Sequence, residues 1–325
     1  MYGYQIYLTH GCNLRCRQCG VWRAKSIGRE KQWTEWAAIL PTMVQVFEKT
    51  FHRKPAFKLM GGEPTIYPGF EEVCRAIKTL GCNISVLSNV SKTWQWEMLT
   101  RVLGKGDSIF VSMDFFPNRR KQYEMRSDPA EEKAFAALHF IETFPDNQTD
   151  FEVGVNITVS SDTLPRLSGL IDCLVQLNAK MNICLRQGSE PNEDELYHVL
   201  RAPNRTGNLN QEEVDQLVKI MLSDLLPVPD LFLGSKEYIR IIQVHGANND
   251  WHCRDQLHLP YIYLDCDGSV MACPDVALPD PQVLPLASPT PFVWTERMLK
   301  TYRAKCCGCT ISSAMTDVVA ALWEK

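Results

Sequence analysis

Six short runs rich in β-formers, at residues 4–8, 56–60, 83–87, 108–112, 152–158 and 181–185, punctuate the first 186 residues. Between them lie longer segments, at 33–49, 68–80, 92–103, 129–144 and 164–177, whose apolar residues recur at helical spacing. Regular alternation of this kind predicts parallel β/α units. Joined by right-handed crossovers, six such units curl into an open, partial (β/α)6 TIM-like barrel, with its chemistry on the loops that follow the strands. The rhythm breaks after residue 186. Residues 187–250 read as a mostly helical bridging insert, with a polar stretch at 188–195, a loop at 202–207 and a helical segment at 211–225. Residues 251–325 read as a small Cys-rich domain, with a hairpin signal at Asp265-Cys266-Asp267-Gly268 between runs 261–264 and 269–272.

The barrel rule gathers four polar clusters on one rim. Cys12, Cys16 and Cys19 follow the first run, Gly61-Gly62-Glu63 the second and Ser88-Asn89 the third, and Ser112 and Asp114 close the fourth. Thirteen cysteines are the anomaly of the composition. The N-terminus has no signal-peptide pattern, so a cytoplasmic location is expected, and there cysteines serve as metal ligands or reactive thiols before they serve as disulfides. The 34 basic and 38 acidic residues are spread along the chain, giving a net charge of -4 with no tract that invites nucleic acid. No apolar run is long enough to span a membrane. Cys74, Cys82, Cys173 and Cys184 stand alone in apolar segments and are expected to be buried small hydrophobes.

Cys12, Cys16 and Cys19 have the spacing CxxxCxxC on a loop. Three thiolates leave one iron of a four-iron cube without a protein thiolate, open to a chelating ligand. The alternative at this spacing is a zinc knuckle completed by His10. The block Thr9-His10-Gly11-Cys12-Asn13-Leu14-Arg15-Cys16 resembles the signature of the radical S-adenosylmethionine (SAM) superfamily. That resemblance implies a [4Fe-4S] cluster on the three cysteines, with SAM as its ligand. It also implies that Gly61, Gly62 and Glu63, followed by Pro64, receive the SAM amino group. By the same resemblance Ser88, Asn89, Ser112, Asp114 and Arg126 contact SAM, with Arg119 and Arg120 competing for the arginine role. The sequence departs from the family at Gln18, where an aromatic residue usually packs on adenine.

Cys253, Gly268, Cys273, Cys306 and Cys309 resemble the twitch module, a shorter relative of the SPASM extension. The resemblance implies an auxiliary [4Fe-4S] cluster on those four cysteines; a four-cysteine zinc site is the alternative. Cys266 and Cys307 are left over. Each is either a structural thiol, Cys307 exchanging with Cys306 as a ligand, or a catalytic hydrogen-atom donor. His252, Asp255, Asp275, Arg186 and Gln187 are candidates for substrate contacts or a base. The expected reaction is reductive SAM cleavage to a 5′-deoxyadenosyl radical, which takes hydrogen from a small-molecule substrate, a sugar or natural product. Oxidation follows if the second cluster accepts an electron, as in twitch-bearing amino-sugar dehydrogenases, and epimerisation follows if a thiol returns hydrogen. An external electron donor such as flavodoxin or ferredoxin is expected. The closeness of the N-terminus to the first strand predicts no leader-binding domain, which favours a small molecule over a ribosomal peptide that is cross-linked or epimerised. Transfer of the SAM aminocarboxypropyl group competes with hydrogen abstraction as the reaction, and a non-catalytic iron–sulfur or zinc protein is the rival of a different class.

Overall fold

The computed structural model describes residues 3–16, 19, 21–23, 30–114, 117, 129–144, 149–186, 207–248, 261–268 and 270–271. Outside them lie Gln18, Arg119, Arg120, Arg126, Gln187, His252, Cys253, Asp255, Cys273, Asp275, Cys306, Cys307 and Cys309. The six expected strands are present as β1 (Gly3–Thr9), β2 (Ala56–Gly61), β3 (Ile84–Ser88), β4 (Ser108–Ser112), β5 (Glu152–Val159) and β6 (Lys180–Leu185). Their connecting helices are α1 (Trp33–Phe51), α2 (Phe70–Thr79), α3 (Thr93–Val102), α4 (Pro129–Thr143) and α5 (Leu167–Gln176). The last of these is shorter than its sequence pattern, because Leu164–Arg166, with Pro165 inside, forms a separate 3-10 turn.

Strand alternation explains how the sheet is used. Tyr4, Ile6 and Leu8 of β1, Phe57 and Leu59 of β2, and Val153, Val155, Ile157 and Val159 of β5 all enter one core beneath the helices. On α1 the matching face is Trp36, Leu40, Met43, Val44 and Phe47, each worth roughly 1.5–3 kcal/mol on burial. The alternate positions, among them Gln5, Lys58, Asn156, Thr158, Asn182 and Cys184, line a cleft on the other side of the sheet. At Gly154 a Cβ would stand 2.6 Å from the Phe110 ring of the neighbouring strand, so the missing side chain makes room for that ring.

The hairpin expected near the C-terminus is present and adds to the edge of the barrel sheet. Its first strand, β7 (Tyr261–Leu264), pairs in parallel with β1, Gly3 opposite Tyr261 and Ile6 opposite Leu264. Its second, β8 (Val270–Met271), returns antiparallel. The strand order is β6-β5-β4-β3-β2-β1-β7-β8, seven parallel strands and one antiparallel strand in a sheet that does not close. Alternating sequence signals reveal strands but not which edge a distant strand joins, so this pairing was not legible beforehand.

The insert supplies α6 (Gln211–Ile220), continued by one π-helical turn (Met221–Leu225), and α7 (Lys236–His245). Asn210 caps α6 through a capping box with Glu213, and Ser235 caps α7 at the Tyr238 N–H. Both helices share the barrel core through Val214, Leu217 and Ile242, and the Tyr238 hydroxyl donates to the Ile183 carbonyl at 2.6 Å. Among the described residues no helix is long and apolar enough to cross a membrane.

Candidate functional site

The cleft is lined by Cys12, Cys16 and Cys19, by Gly61, Gly62, Glu63, Ser88, Asn89, Ser112 and Asp114, and by polar residues of β5 and β6. All of the described residues expected to hold a cluster or SAM therefore meet in one place. Two backbone hydrogen bonds tie the thiol loop to the glycine turn: Gly62 N–H to Thr9 O and Glu63 N–H to Gly11 O, both 2.8 Å. Gly62 is required for this approach, since a Cβ would stand 2.0 Å from the Gly11 carbonyl oxygen.

Glu63 has a structural task beside the one its position suggested. It is 1 % exposed, and its carboxylate takes four hydrogen bonds from the protein. Oε1 accepts from Thr65 N–H, the Thr65 hydroxyl and the Ser88 hydroxyl, and Oε2 accepts from Asn89 N–H. Burial pushes its carboxyl above the usual carboxylate range, against the pull of those donors. Glu63 thus braces the loops after β2 and β3 against each other. Ser88 is spent in the same web. Asn89 reaches back to the cluster loop, donating to Asn13 Oδ1 at 2.9 Å, and Asn13 donates in turn to Ser91. The loop turns through Val90, a buried β-branched residue held at φ 41, a strained conformation of the kind that gathers at functional sites.

The donor set fits an iron–sulfur cluster. Burial pushes the Cys12 thiol up to about 11 and raises Cys16 and Cys19 as well. Thiolates at this wall therefore need positive charge, which cluster irons supply. The Leu14 N–H points at Cys12 Sγ from 3.4 Å and the Asn89 amide from 3.9 Å, and hydrogen bonds to cluster sulfurs tune such centres. His10 does not complete a zinc knuckle. Its Nε2 lies 2.7 Å from Asp265 Oδ1 in a buried pair that joins β1 to the β7–β8 turn. Cys266 is part of that same junction: its sulfur lies within 4.8 Å of a ring nitrogen of His10 and an oxygen of Asp265, and it is absent from the cleft lining.

Two features of the site, Lys133 and Trp22, gave no clear signal in the sequence. Lys133 of α4 lines the cleft and forms a 2.6 Å buried ion pair with Asp114 Oδ2, while the Thr158 N–H donates to Oδ1 at 3.2 Å. Burial opposes the Lys133 charge, but Asp114, followed by Cys16, outweighs it and raises the ammonium above its ordinary value. A lone Lys in an amphipathic helix does not announce such a pairing. Trp22 also lines the cleft, its indole N–H on the Cys16 carbonyl and its ring 5.2 Å below the Arg15 guanidinium. Cys184, expected to be a buried small hydrophobe, is on the cleft wall; polar alternation in β5 and β6 was the available signal. Arg186 also reaches the cleft, where its guanidinium donates to Asn208 Oδ1 at 3.0 Å.

Residues 6–158 match the family model of the radical SAM superfamily. The chain is 30% identical over 111 residues to an S-adenosylmethionine-dependent nucleotide dehydratase of Thermoplasmatales archaeon (strain ISO4-H5), covering 34% of this chain and 36% of that protein. It is 26% identical over 122 residues to the sporulation killing factor maturation protein SkfB of Bacillus subtilis (strain 168), covering 37% of this chain and 28% of that one. The match thus spans about a third of each relative's length. Among solved structures, Streptococcus suis SuiB bound to precursor peptide SuiA superposes with a TM-score of 0.60 at 14% identity, over 96% of this chain and 71% of that one, a likeness of fold. Joined to the thiol wall and the glycine turn bonded to it, the family match identifies residues 6–158 as a radical SAM domain.

Proposed function

We propose that the chain cleaves SAM reductively in this cleft and uses the resulting 5′-deoxyadenosyl radical to take hydrogen from a polar small molecule, for net oxidation or epimerisation. The observation that carries the reading is the pair of backbone bonds joining the Cys12 loop to the Gly61-Gly62-Glu63 turn, in a cleft that continues onto a polar floor. A [4Fe-4S] cluster on Cys12, Cys16 and Cys19 supplies one low-potential electron and an open iron for the SAM amino and carboxylate groups.

The chain's own residues do the remainder. Glu63, Thr65, Ser88 and Asn89 fix the turn that meets the amino group, and Gly61 and Gly62 let backbone approach it. Asp114 with Lys133, and Ser112 beside them, offer the polar wall for the rest of SAM. Trp22 provides the aromatic face that Gln18 does not. Gln5, Lys58, Asn156, Asn182 and Arg186 offer hydrogen bonds and positive charge to a substrate, which supports a polar small molecule. The electron donor is proposed to be a flavodoxin or ferredoxin. Cys253, Cys273, Cys306 and Cys309 are proposed to hold an auxiliary [4Fe-4S] cluster, and residues 251–325 to form the domain that carries it.

The test is isotopic. Deuterated candidates, nucleotides and sugars on one side and short peptides on the other, are incubated with reconstituted enzyme, SAM and reductant. Deuterium from a small molecule in 5′-deoxyadenosine supports the proposal. Transfer from a peptide alone assigns the chain to peptide modification, and transfer of an aminocarboxypropyl group rejects the hydrogen-abstraction chemistry.

A further inference from the structure

The side chain of Gln95, in the first turn of α3, is wholly buried and hydrogen-bonds to residues of the loops after β2 and β3, yet it does not line the cleft. A primary amide donates at one end and accepts at the other, so the way it faces decides which neighbouring hydroxyls give a proton and which receive one. Its direction is pinned by a backbone group. The Lys92 N–H, which can only donate, lies 2.7 Å from Gln95 Oε1. Nε2 is thereby turned to the other side, where it donates to Thr65 Oγ1 at 2.8 Å.

Two arms leave this amide. Along the first, Thr65 Oγ1 receives a proton from Gln95 and directs its own to Glu63 Oε1, 2.6 Å away, at the glycine turn. Along the second, Ser91 donates its hydroxyl to Gln95 Oε1 at 3.4 Å and accepts from Asn13 Nδ2 at 2.9 Å. That sets the Asn13 amide, whose Oδ1 receives the Asn89 amide beside Cys12. One side chain thus gives direction to hydrogen bonds in the glycine turn and in the cluster loop together. An independent feature marks the same helical turn. The next residue, Trp96, donates its indole N–H at 2.7 Å to the carbonyl of Val90, the corner where the backbone is held at φ 41. Strained backbone persists only where its surroundings over-determine it, and here two consecutive residues of α3 supply that constraint.

We propose that Gln95 is a positioning residue for SAM. It touches neither the thiols nor the cleft; by directing the Thr65 proton to Glu63 and the Asn13 amide to Asn89, it holds the glycine turn and the cluster loop in one fixed arrangement to receive SAM. This rests on the SAM-cleavage reading given above and adds to it a residue outside the site.

The experiment compares two variants and their combination. Gln95→Glu keeps the acceptor for Lys92 and Ser91, and with it the cap of α3, but turns an oxygen to Thr65 in place of the donor. Thr65→Val removes the hydroxyl that relays the first arm and leaves Gln95 in place. Each protein is reconstituted anaerobically, and SAM binding to the oxidised holoprotein, which receives no electron with which to cleave it, is measured by calorimetry. The SAM-induced change in the EPR signal of the reduced cluster is the second readout. We expect each single variant to bind SAM at least about threefold more weakly, the size of one lost hydrogen bond, at wild-type iron content and with an altered EPR change. The double variant should be no weaker than the weaker single, because both break one relay. A merely structural Gln95 would lower the urea midpoint of the iron-free chain and leave the affinity and spectrum of the loaded protein unchanged. That result, or additive losses in the double variant, would overturn the inference and leave the proposed function standing. Gln95→Met fills the space without either hydrogen bond and serves where Gln95→Glu fails to load iron: it should weaken SAM at least as much as Thr65→Val, and wild-type affinity in it would also overturn the inference. A wild-type holoprotein that neither binds nor cleaves SAM would overturn the proposed function and the inference with it.

Discussion

Replacing Lys133 by Met tests the organisation of the cleft wall. The Lys133 ammonium and the Asp114 carboxylate are 2.6 Å apart, with side chains 7% and 5% exposed. At an effective dielectric of about 20 their attraction is about 6 kcal/mol, most of which offsets the cost of burying both charges. Lys133→Met removes the cation and leaves Asp114 buried, with the Thr158 N–H still donating to it. Stranding a buried charge in this way costs about 3–5 kcal/mol. In urea denaturation of the iron-free chain, followed by tryptophan fluorescence, that corresponds to a midpoint lower by roughly 1–2 M at a slope near 2–3 kcal/mol/M. Lys133→Met combined with Asp114→Asn removes both charges and should recover much of the loss, giving a clear coupling in the double-mutant cycle. A single variant within about 0.5 kcal/mol of wild type, or a double variant as unstable as the sum of the singles, would refute the claim that this pair is a buried unit.

Three further outcomes follow from the same geometry. Glu63→Gln puts an amide N–H2 or a mismatched oxygen against donors that now share one carboxylate, so SAM affinity should fall about tenfold or more by calorimetry, as for loss of a charged hydrogen bond; unchanged affinity would contradict the bracing role. Gly62→Ala drives a methyl into the Gly11 carbonyl, and should lower the iron retained per chain while far-UV circular dichroism stays native. Alkaline pH should destabilise the iron-free chain. The native Cys184 thiol titrates near 11 against an ordinary 9.0, and Cys74 and Lys133 are also raised. Above about pH 9 the unfolded chain releases protons that the native chain still binds, so stability falls as pH rises; a flat or rising profile between neutral pH and about 10 would contradict these shifts.

The fold was legible where periodicity carries the information. Alternation in β5 and helical spacing in α1 located those elements to within two residues, because the sheet separates a helix-covered face from a polar one. The cluster loop was legible because CxxxCxxC has few uses. What could not be read were contacts between distant segments: β7 beside β1, His10 against Asp265, and Lys133 on Asp114. Such pairings leave no period and no motif. Glu63 and Cys184 show a second limit. Residue type could not show that four internal donors meet the Glu63 carboxylate, and it predicted a hydrophobic filler at Cys184, whereas cleft-facing alternation makes Cys184 a wall residue.

The account stands most directly on what Cys12, Cys16 and Cys19 bind and do. After anaerobic reconstitution, the decisive measurement is the EPR spectrum of the dithionite-reduced protein with and without SAM, joined to assay of 5′-deoxyadenosine. The account predicts a reduced [4Fe-4S] signal that shifts when SAM is added, together with 5′-deoxyadenosine, both lost in the triple variant Cys12→Ala, Cys16→Ala and Cys19→Ala. Bound zinc in place of iron, or a cluster whose spectrum ignores SAM and yields no 5′-deoxyadenosine, would contradict it.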